Sequence, residues 1–333
     1  MSKTNQQGQK DEQGWENLLR PDGFSKYIGQ EPVKKSLKII IEAANKRNEP
    51  IDHILLYGQA GLGKTTLAYI IAKELKSNLK ITSGPAIEKT GDLAAILTNL
   101  EHGDILFIDE AHRLNKMIEE VLYSAMEDRI LNIVLGKGPS ARTISLNLAP
   151  FTLVAATTRV DLLSGPLRSR FGATFRLDYY SLDNIKDIIK RSASILGVNI
   201  NEEAVVILAQ VSRFTPRTAN RILKRARDVA EVRASVCIDE KCLEELFEIL
   251  EIDSLGLEYQ DRRLLYILRD QFNGGPAGIS SLAASLGEEK STIEGVYEPY
   301  LIKIGLIKRT PAGRVLTEKG ILYLKNLEQK SIL

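Results

Sequence analysis

Short apolar runs and amphipathic stripes alternate along the first half of the chain. "HILLYG" (53–58), "DILFID" (104–109) and "FTLVAATT" (151–158) are apolar runs with turn residues beside them. Runs of that length, apolar at consecutive positions, predict strands buried on both faces, as in a parallel sheet. Helical patterns over 64–76 and 115–128 lie between them, and strand–helix alternation predicts an α/β sheet with its site at the carboxyl ends of the strands. From about 181 the pattern is helical throughout, with Ser181 and Asn201 as N-caps. Over 216–233, Ala219, Ile222, Leu223, Ala226, Val229 and Ala230 form a stripe of period 3.6 with basic residues on the other faces. A third pattern starts near 255. Three helices (262–272, 279–287, and one from 290 bent at Pro299) precede a strand–turn–strand over 306–317. That is the order of a winged helix-turn-helix. The expected division is a tail over 1–18, an α/β domain over 19–180, a helical domain over 181–254 and a winged helix over 255–333.

Composition changes this picture little. The chain has 333 residues, 44% hydrophobic and 26% charged, the profile of a soluble globular protein of two or three domains. Its formal net charge of +2 argues against coating nucleic acid by bulk charge, though not against a local basic site. No apolar run reaches the length of a membrane span, and the polar, Gln-rich N-terminus carries no signal-like segment. The two cysteines, Cys237 and Cys242, lack the companions of a zinc site and suit a reducing cytoplasm.

The chemistry lies in the first half. "GQAGLGKT" (58–65) fits G-x-x-x-x-G-K-[ST] between a predicted strand and a predicted helix, the context that motif requires. Gly61 and Gly63 let backbone N–H groups approach phosphate oxygens at a helix N-terminus. Lys64 offers a cation to the β- and γ-phosphates of ATP, and Thr65 a hydroxyl to Mg²⁺. In "DILFIDEAH" (104–112), Asp109 emerges at a strand end to hold Mg²⁺, and Glu110 can polarise the attacking water. The apolar strand ending in "ATTR" (156–159) places Thr158, with Thr157 behind it, to orient that water.

In this order the pieces resemble the AAA+ ATPases: a P-loop core with a parallel sheet, a helical lid and, here, a C-terminal winged helix. The resemblance is closer still to the RuvB family of bacterial Holliday-junction branch-migration motors. It runs from about residue 16 to the C-terminus and rests on "LRPDGFSKYIGQ" (19–30), "LFIDEAHRLN" (106–115), "GKGPSARTI" (136–144), "FTLVAATTR" (151–159), "GPLRSRFG" (165–172), "TPRTANRILKRARD" (215–228) and "YEPYLIKIGLIKRTPAGR" (297–314).

The resemblance implies that Leu19, Arg20, Tyr27 and Ile28 frame the adenine and ribose. Gly61, Gly63, Lys64, Thr65 and Thr66 would hold phosphates and metal, and Tyr180 would lie near the nucleotide at the core–lid junction. Arg217 would reach the γ-phosphate from the lid. Arg170 would act on the next subunit's nucleotide in a hexameric ring, with Arg168 bracing its loop or pairing across the interface, and Glu127, Asp128 and Arg129 would approach the nucleotide at a subunit boundary. The hairpin over 134–146 would dock RuvA, RuvC would join in the resolving complex, and duplex DNA at a four-way junction would be the track. Lys290, Arg309 and Arg314, with Lys308, would contact DNA phosphates around the "TPAG" turn.

The sequence departs from the family pattern twice. "GQAG" stands where two prolines usually follow the first glycine, and Phe214 stands where glycine usually precedes "TPR". Two other functions share some of these features. A clamp loader usually carries Ser-Arg-Cys and a helical collar, where this chain has "SRF" and a winged helix. A nucleotide-gated transcriptional regulator would not need the Asp109–Glu110 pair.

Overall fold

The computed structural model describes residues 14–15, 17–135 and 142–332, and divides the chain into two compact units at Tyr180 and Ser181. Of the expected tail, the described residues 14–15 and 17–18 are helical, and the rest lies outside the described residues.

The first unit is built on a parallel sheet of β1 (Ile54–Tyr57), β2 (Leu79–Ser83), β3 (Ile105–Asp109), β6 (Thr152–Thr157) and β7 (Ala173–Arg176), in spatial order β2-β3-β6-β1-β7. An antiparallel hairpin of β4 (Ile130–Leu135) and β5 (Arg142–Asn147) stands apart from it. The three central strands are the three apolar runs, and β6 is buried along its whole length. Helices Lys64–Glu74, Thr90–Thr98 and Lys116–Glu127 connect the strands. Register pairs Tyr57 with Thr157 and Ser83 with Asp109, which brings the carboxyl ends of β1, β2, β3 and β6 to one edge.

The two edge strands, β2 and β7, are not legible in the apolar pattern. Each pairs on one side only and is half-exposed, so "LKITS" and "ATFR" carry few apolar positions.

The second unit holds a four-helix lid, Leu182–Leu196, Glu202–Val211, Pro216–Val232 and Glu240–Ile249. Ser181, Asn201, Thr215 and Asp239 cap these helices through their side-chain oxygens. Of the predicted stripe, Ala219, Ile222, Leu223, Ala226 and Ala230 are buried. Two short parallel strands, β8 (Asn199–Ile200) and β9 (Cys237–Ile238), tie two lid loops together. The winged helix follows with helices Tyr259–Asp270 and Ile279–Leu286, and then a segment from Lys290 to Lys303. Hairpin strands β10 (Ile307–Thr310) and β11 (Gly313–Leu316) and a further helix, Glu318–Ile332, complete it. The irregularity near Pro299 is a π-helical turn over Ile293–Tyr297, just before the proline. Proline has no N–H to donate, and the wider turn accommodates its ring.

One buried polar group in the core sets a pH dependence. His53 stands directly before β1, 8% exposed. Its Nδ1 accepts from Leu153 N at 2.8 Å, while Nε2 faces Met126 O at 3.4 Å. Nδ1 can accept only in the neutral ring, and burial lowers the pKa to about 4. An unfolded histidine titrates near 6.5, so between these values the unfolded chain binds more protons. Stability should therefore fall as pH drops from about 6.5 to about 4, by at most about 3 kcal/mol from this residue. Chemical denaturation across that range should show the slope, and His53→Gln should flatten it. An equal slope in both proteins would contradict this assignment.

Candidate active site

The phosphate loop connects β1 to the Lys64–Glu74 helix. Gly58, Gly61 and Gly63 all have positive φ. At Gly63, φ is +95° and a Cβ would lie 2.8 Å from the Tyr27 hydroxyl oxygen, so no larger residue fits without displacing that tyrosine. Lys64 opens the helix, buried, and its Nζ donates to the carbonyls of Gly58 and Gln59, each at 2.8 Å. The lysine thus ties the loop closed across the positions where the expected prolines are missing. From behind, the buried Tyr180 hydroxyl lies 3.1 Å from that of Tyr27 and 3.2 Å from Leu62 O. Burial raises both phenols, Tyr180 to about 12, so both remain neutral.

The N-terminal segment packs against the same loop. Arg20 lies over the Tyr69 ring at 3.9 Å, stacked on the phosphate-loop helix, and Leu19 and Tyr27 are buried with Ile28 half-buried. Gln30 fastens the segment to the chain beyond β7, donating to Asp178 O at 2.6 Å and accepting from Asp178 N at 3.3 Å.

The end of β3 meets the first turn of the phosphate-loop helix. Thr65 Oγ1 donates to Asp109 Oδ2 at 3.2 Å, and Asp109 Oδ1 accepts from Glu110 N at 2.8 Å. A hydroxyl beside a carboxylate is the hard-oxygen donor set that Mg²⁺ takes, so the residues fit that ion. Thr66, the next residue in the helix, is half-buried. Glu110 adopts φ +49°, a conformation unfavourable for a side chain of its kind, and its carboxylate is exposed, 3.2 Å from Arg113. The backbone there is hemmed in by Gly84, at which a Cβ would fall 2.4 Å from Glu110 O.

At the end of β6, Thr157 is fully buried. Its Oγ1 accepts from Arg159 N at 2.9 Å and lies 3.1 Å from His112 Nδ1. Burial lowers the His112 pKa. Thr157 therefore braces the strand end, while Thr158 is exposed beyond it.

Arg170 ends the short helix Gly165–Ser169, which Ser164 caps. Its guanidinium donates to the Tyr123 hydroxyl, lies over that ring and pairs with Glu127 at 2.7 Å. The tyrosine hydrogen bond and the Glu127 charge both favour the cation. Glu127 and Asp128 are exposed beside it, and so is Arg168. Arg129 is held by its own chain. It is half-buried, lies over the Phe151 ring at 5.3 Å and donates to Phe151 O at 3.1 Å. Arg217 lies in the second unit, exposed on the first turn of the Pro216–Val232 helix.

The comparisons cover nearly the whole described chain. Residues 19–177 match the family model of the Holliday junction DNA helicase RuvB P-loop domain, 180–253 the RuvB AAA lid domain, and 254–325 the RuvB C-terminal winged helix domain. The chain belongs to the RuvB family. A relative in Fusobacterium nucleatum, the Holliday junction branch migration complex subunit RuvB, is 55% identical over 312 residues, 94% of each chain. The solved Thermotoga maritima RuvB Holliday junction branch migration motor is 50% identical with a TM-score of 0.85, covering 92% of this chain and 98% of its own. Its K64R mutant gives 0.86 at the same identity and coverage. The family is one of ATP-driven branch-migration motors, and its P-loop domain carries nucleotide binding to this chain.

The winged-helix hairpin carries two paired arginines. Register sets Arg309 opposite Arg314, so the two share the face of Ile307 and Leu316, which point into the core. Arg314 is 8% exposed, its Nε 2.8 Å from Glu298 Oε1 and its NH2 2.8 Å from Glu294 Oε1. Arg309 pairs with Glu298 at 2.6 Å and is half-exposed. Burial pushes the Glu298 carboxyl up, but its hydrogen bonds from Arg309 and Arg314 outweigh this and hold it below the ordinary value. Arg314 is buried against Glu298, whereas Arg309, Lys308 and Lys290 are exposed. Alternation from Ile307 sets 309 and 314 on the face that meets Glu298. Arg314→Ala leaves the buried Glu298 with Arg309 alone and should destabilise the winged helix by about 1.5–3 kcal/mol, and Arg309→Ala by less. Thermal unfolding of both variants checks the order, and equal losses would contradict it.

Proposed function

We propose that this chain is the motor subunit of a cytoplasmic homo-hexameric ring that uses Mg²⁺-ATP to translocate duplex DNA through four-way junctions. RuvA would dock on the hairpin over 134–146, and RuvC would join in the resolving complex. The observation that carries the reading is the pairing of Thr65 with Asp109 directly beside Lys64 and Glu110, in a chain whose three domains all match one motor family.

The division of labour follows from where the groups lie. Lys64 exchanges its two loop carbonyls for phosphate oxygens, so a filled site costs it no unpaired charge. Thr65 and Asp109 would hold Mg²⁺, which would supply charge neutralisation at the β- and γ-phosphates. Glu110, exposed beside the pair, takes the proton of the attacking water, and Thr158 orients that water. Arg170 stabilises the transferring phosphoryl of a neighbouring subunit, already aimed by Tyr123 and Glu127. Arg217 contributes from the lid.

On the partner side, Ile144 and Leu146 are exposed on β5, an apolar edge suited to RuvA. The tip over 136–141 lies outside the described residues. For DNA, Lys290, Arg309 and Arg314, with Lys308, would supply phosphate contacts around the "TPAG" turn. Contacts of that kind read no sequence, which suits a motor that must pass any sequence.

With RuvA on a synthetic four-way junction, the chain should convert junction to duplex products only when ATP and Mg²⁺ are supplied. Glu110→Gln should bind ATP and the junction yet yield no product. Product formation by Glu110→Gln at the wild-type rate would overturn the assignment.

A further inference from the structure

The turn that leads into the Arg217 helix is strained. Arg213 and Phe214, consecutive residues between the Glu202–Val211 and Pro216–Val232 helices, adopt φ +54° and +56°. Neither is a glycine or an asparagine, and single non-glycine residues enter this region only when their surroundings hold them there. Thr215 then caps the helix through Thr218 N at 3.4 Å, and Pro216 opens it. Arg217 follows on the first turn. The conformation of 213–214 therefore aims the start of that helix.

The contacts that hold this turn come from the winged helix. Arg213 Nε donates to Gly256 O at 2.9 Å, and its NH2 pairs with the buried Asp261. The guanidinium also lies over the Tyr300 ring at 5.2 Å. Phe214 packs against the winged-helix core, its ring 6.3 Å from that of Tyr300 and inclined at 51°. Tyr300 is itself fixed, donating to Leu255 O at 2.6 Å. Around this contact the domains press close. A Cβ at Gly256 would fall 2.5 Å from Val211 O, and Arg221 pairs with Glu258 at 2.6 Å.

We propose that Arg213 and Phe214 are positioning residues that transmit the state of the DNA-engaging winged helix to Arg217, by locking the start of its helix to Tyr300 and Asp261. The proposal rests on the reading of Arg217 as a γ-phosphate sensor. It also accounts for a phenylalanine at a position whose backbone favours glycine: the ring makes the inter-domain contact that glycine could not. A load on the winged helix then moves the helix start, and with it the arginine, instead of being absorbed in a loose turn.

The test uses the full-length chain and linear duplex DNA. The quantity read is the ratio of ATP turnover with saturating duplex to turnover without it, which a uniform loss of activity does not move. Phe214→Gly keeps the backbone conformation accessible but deletes the ring, and the ratio should fall about fivefold or more, toward one. Phe214→Tyr, which keeps the ring, should retain the wild-type ratio. Tyr300→Leu removes the same contact from the other side. It should lower the ratio similarly, with no further loss in the double variant, and it carries the test should Phe214→Gly fail to fold. Wild-type ratios in folded Phe214→Gly and Tyr300→Leu would overturn the proposal, as would a wild-type ratio of one. Arg217→Ala separates the two claims. If it leaves turnover intact, the sensor reading fails. If it abolishes turnover while the aromatic variants keep the ratio, only the coupling fails.

Discussion

The hydrogen bond from Thr65 to Asp109 is the constraint on which the rest of the site depends. It joins the first turn of one helix to the last residue of a central strand, and both ends are fixed by the parallel sheet. Helix and strand meet there because β1 and β3 flank β6 in register, with their carboxyl ends at one edge. Everything chemical in the first unit is placed from that edge: the loop glycines before Lys64, Glu110 after Asp109, and Thr158 after β6. The buried apolar strands do no chemistry, but a shift in their packing would move every oxygen in the site at once.

Around that fixed edge, many polar groups satisfy one another within the chain. Lys64 is held by its own loop, Tyr27 and Tyr180 lie against the Leu62 carbonyl, and Thr157 is taken up by His112 and Arg159 N. Such pairing lets a buried cation and two buried phenols exist without paying an unpaired desolvation cost. Arg170 fits the same logic differently. It is held by Tyr123 and Glu127 on the Lys116–Glu127 helix, partly exposed, so its charge is aimed outward rather than consumed.

Much of this was legible in the sequence because it follows from period and spacing. The three central strands are continuous apolar runs, and the motif residues sit where strands end. Ser181 and Asn201 cap helices because their side chains can bond the free N–H groups. The edge strands β2 and β7 were not legible, since half-exposed pairing imposes no apolar run. The burial of Arg314 was not legible for another reason. Charge beside a tight turn suggests a solvent-facing tip, but strand alternation places it inward, where Glu298 makes its burial tolerable. The partner of Arg129 in "EDR" was likewise not legible: its guanidinium donates to Phe151 O and lies over that ring. Composition cannot distinguish a buried, paired arginine from an exposed one. Nor could it show that Phe214 would take a left-handed backbone, which depends on contacts some eighty-six residues away, at Tyr300.

The central claim is that one chain carries an incomplete site and the ring completes it. Mixed assembly tests this most directly. Arg170→Ala and Lys64→Ala subunits, each inactive alone, are combined and their co-assembly is established by mass. Some interfaces then pair an intact phosphate loop with an intact Arg170, and partial recovery of ATP turnover is the expected result. Co-assembled rings that recover no turnover would contradict the account.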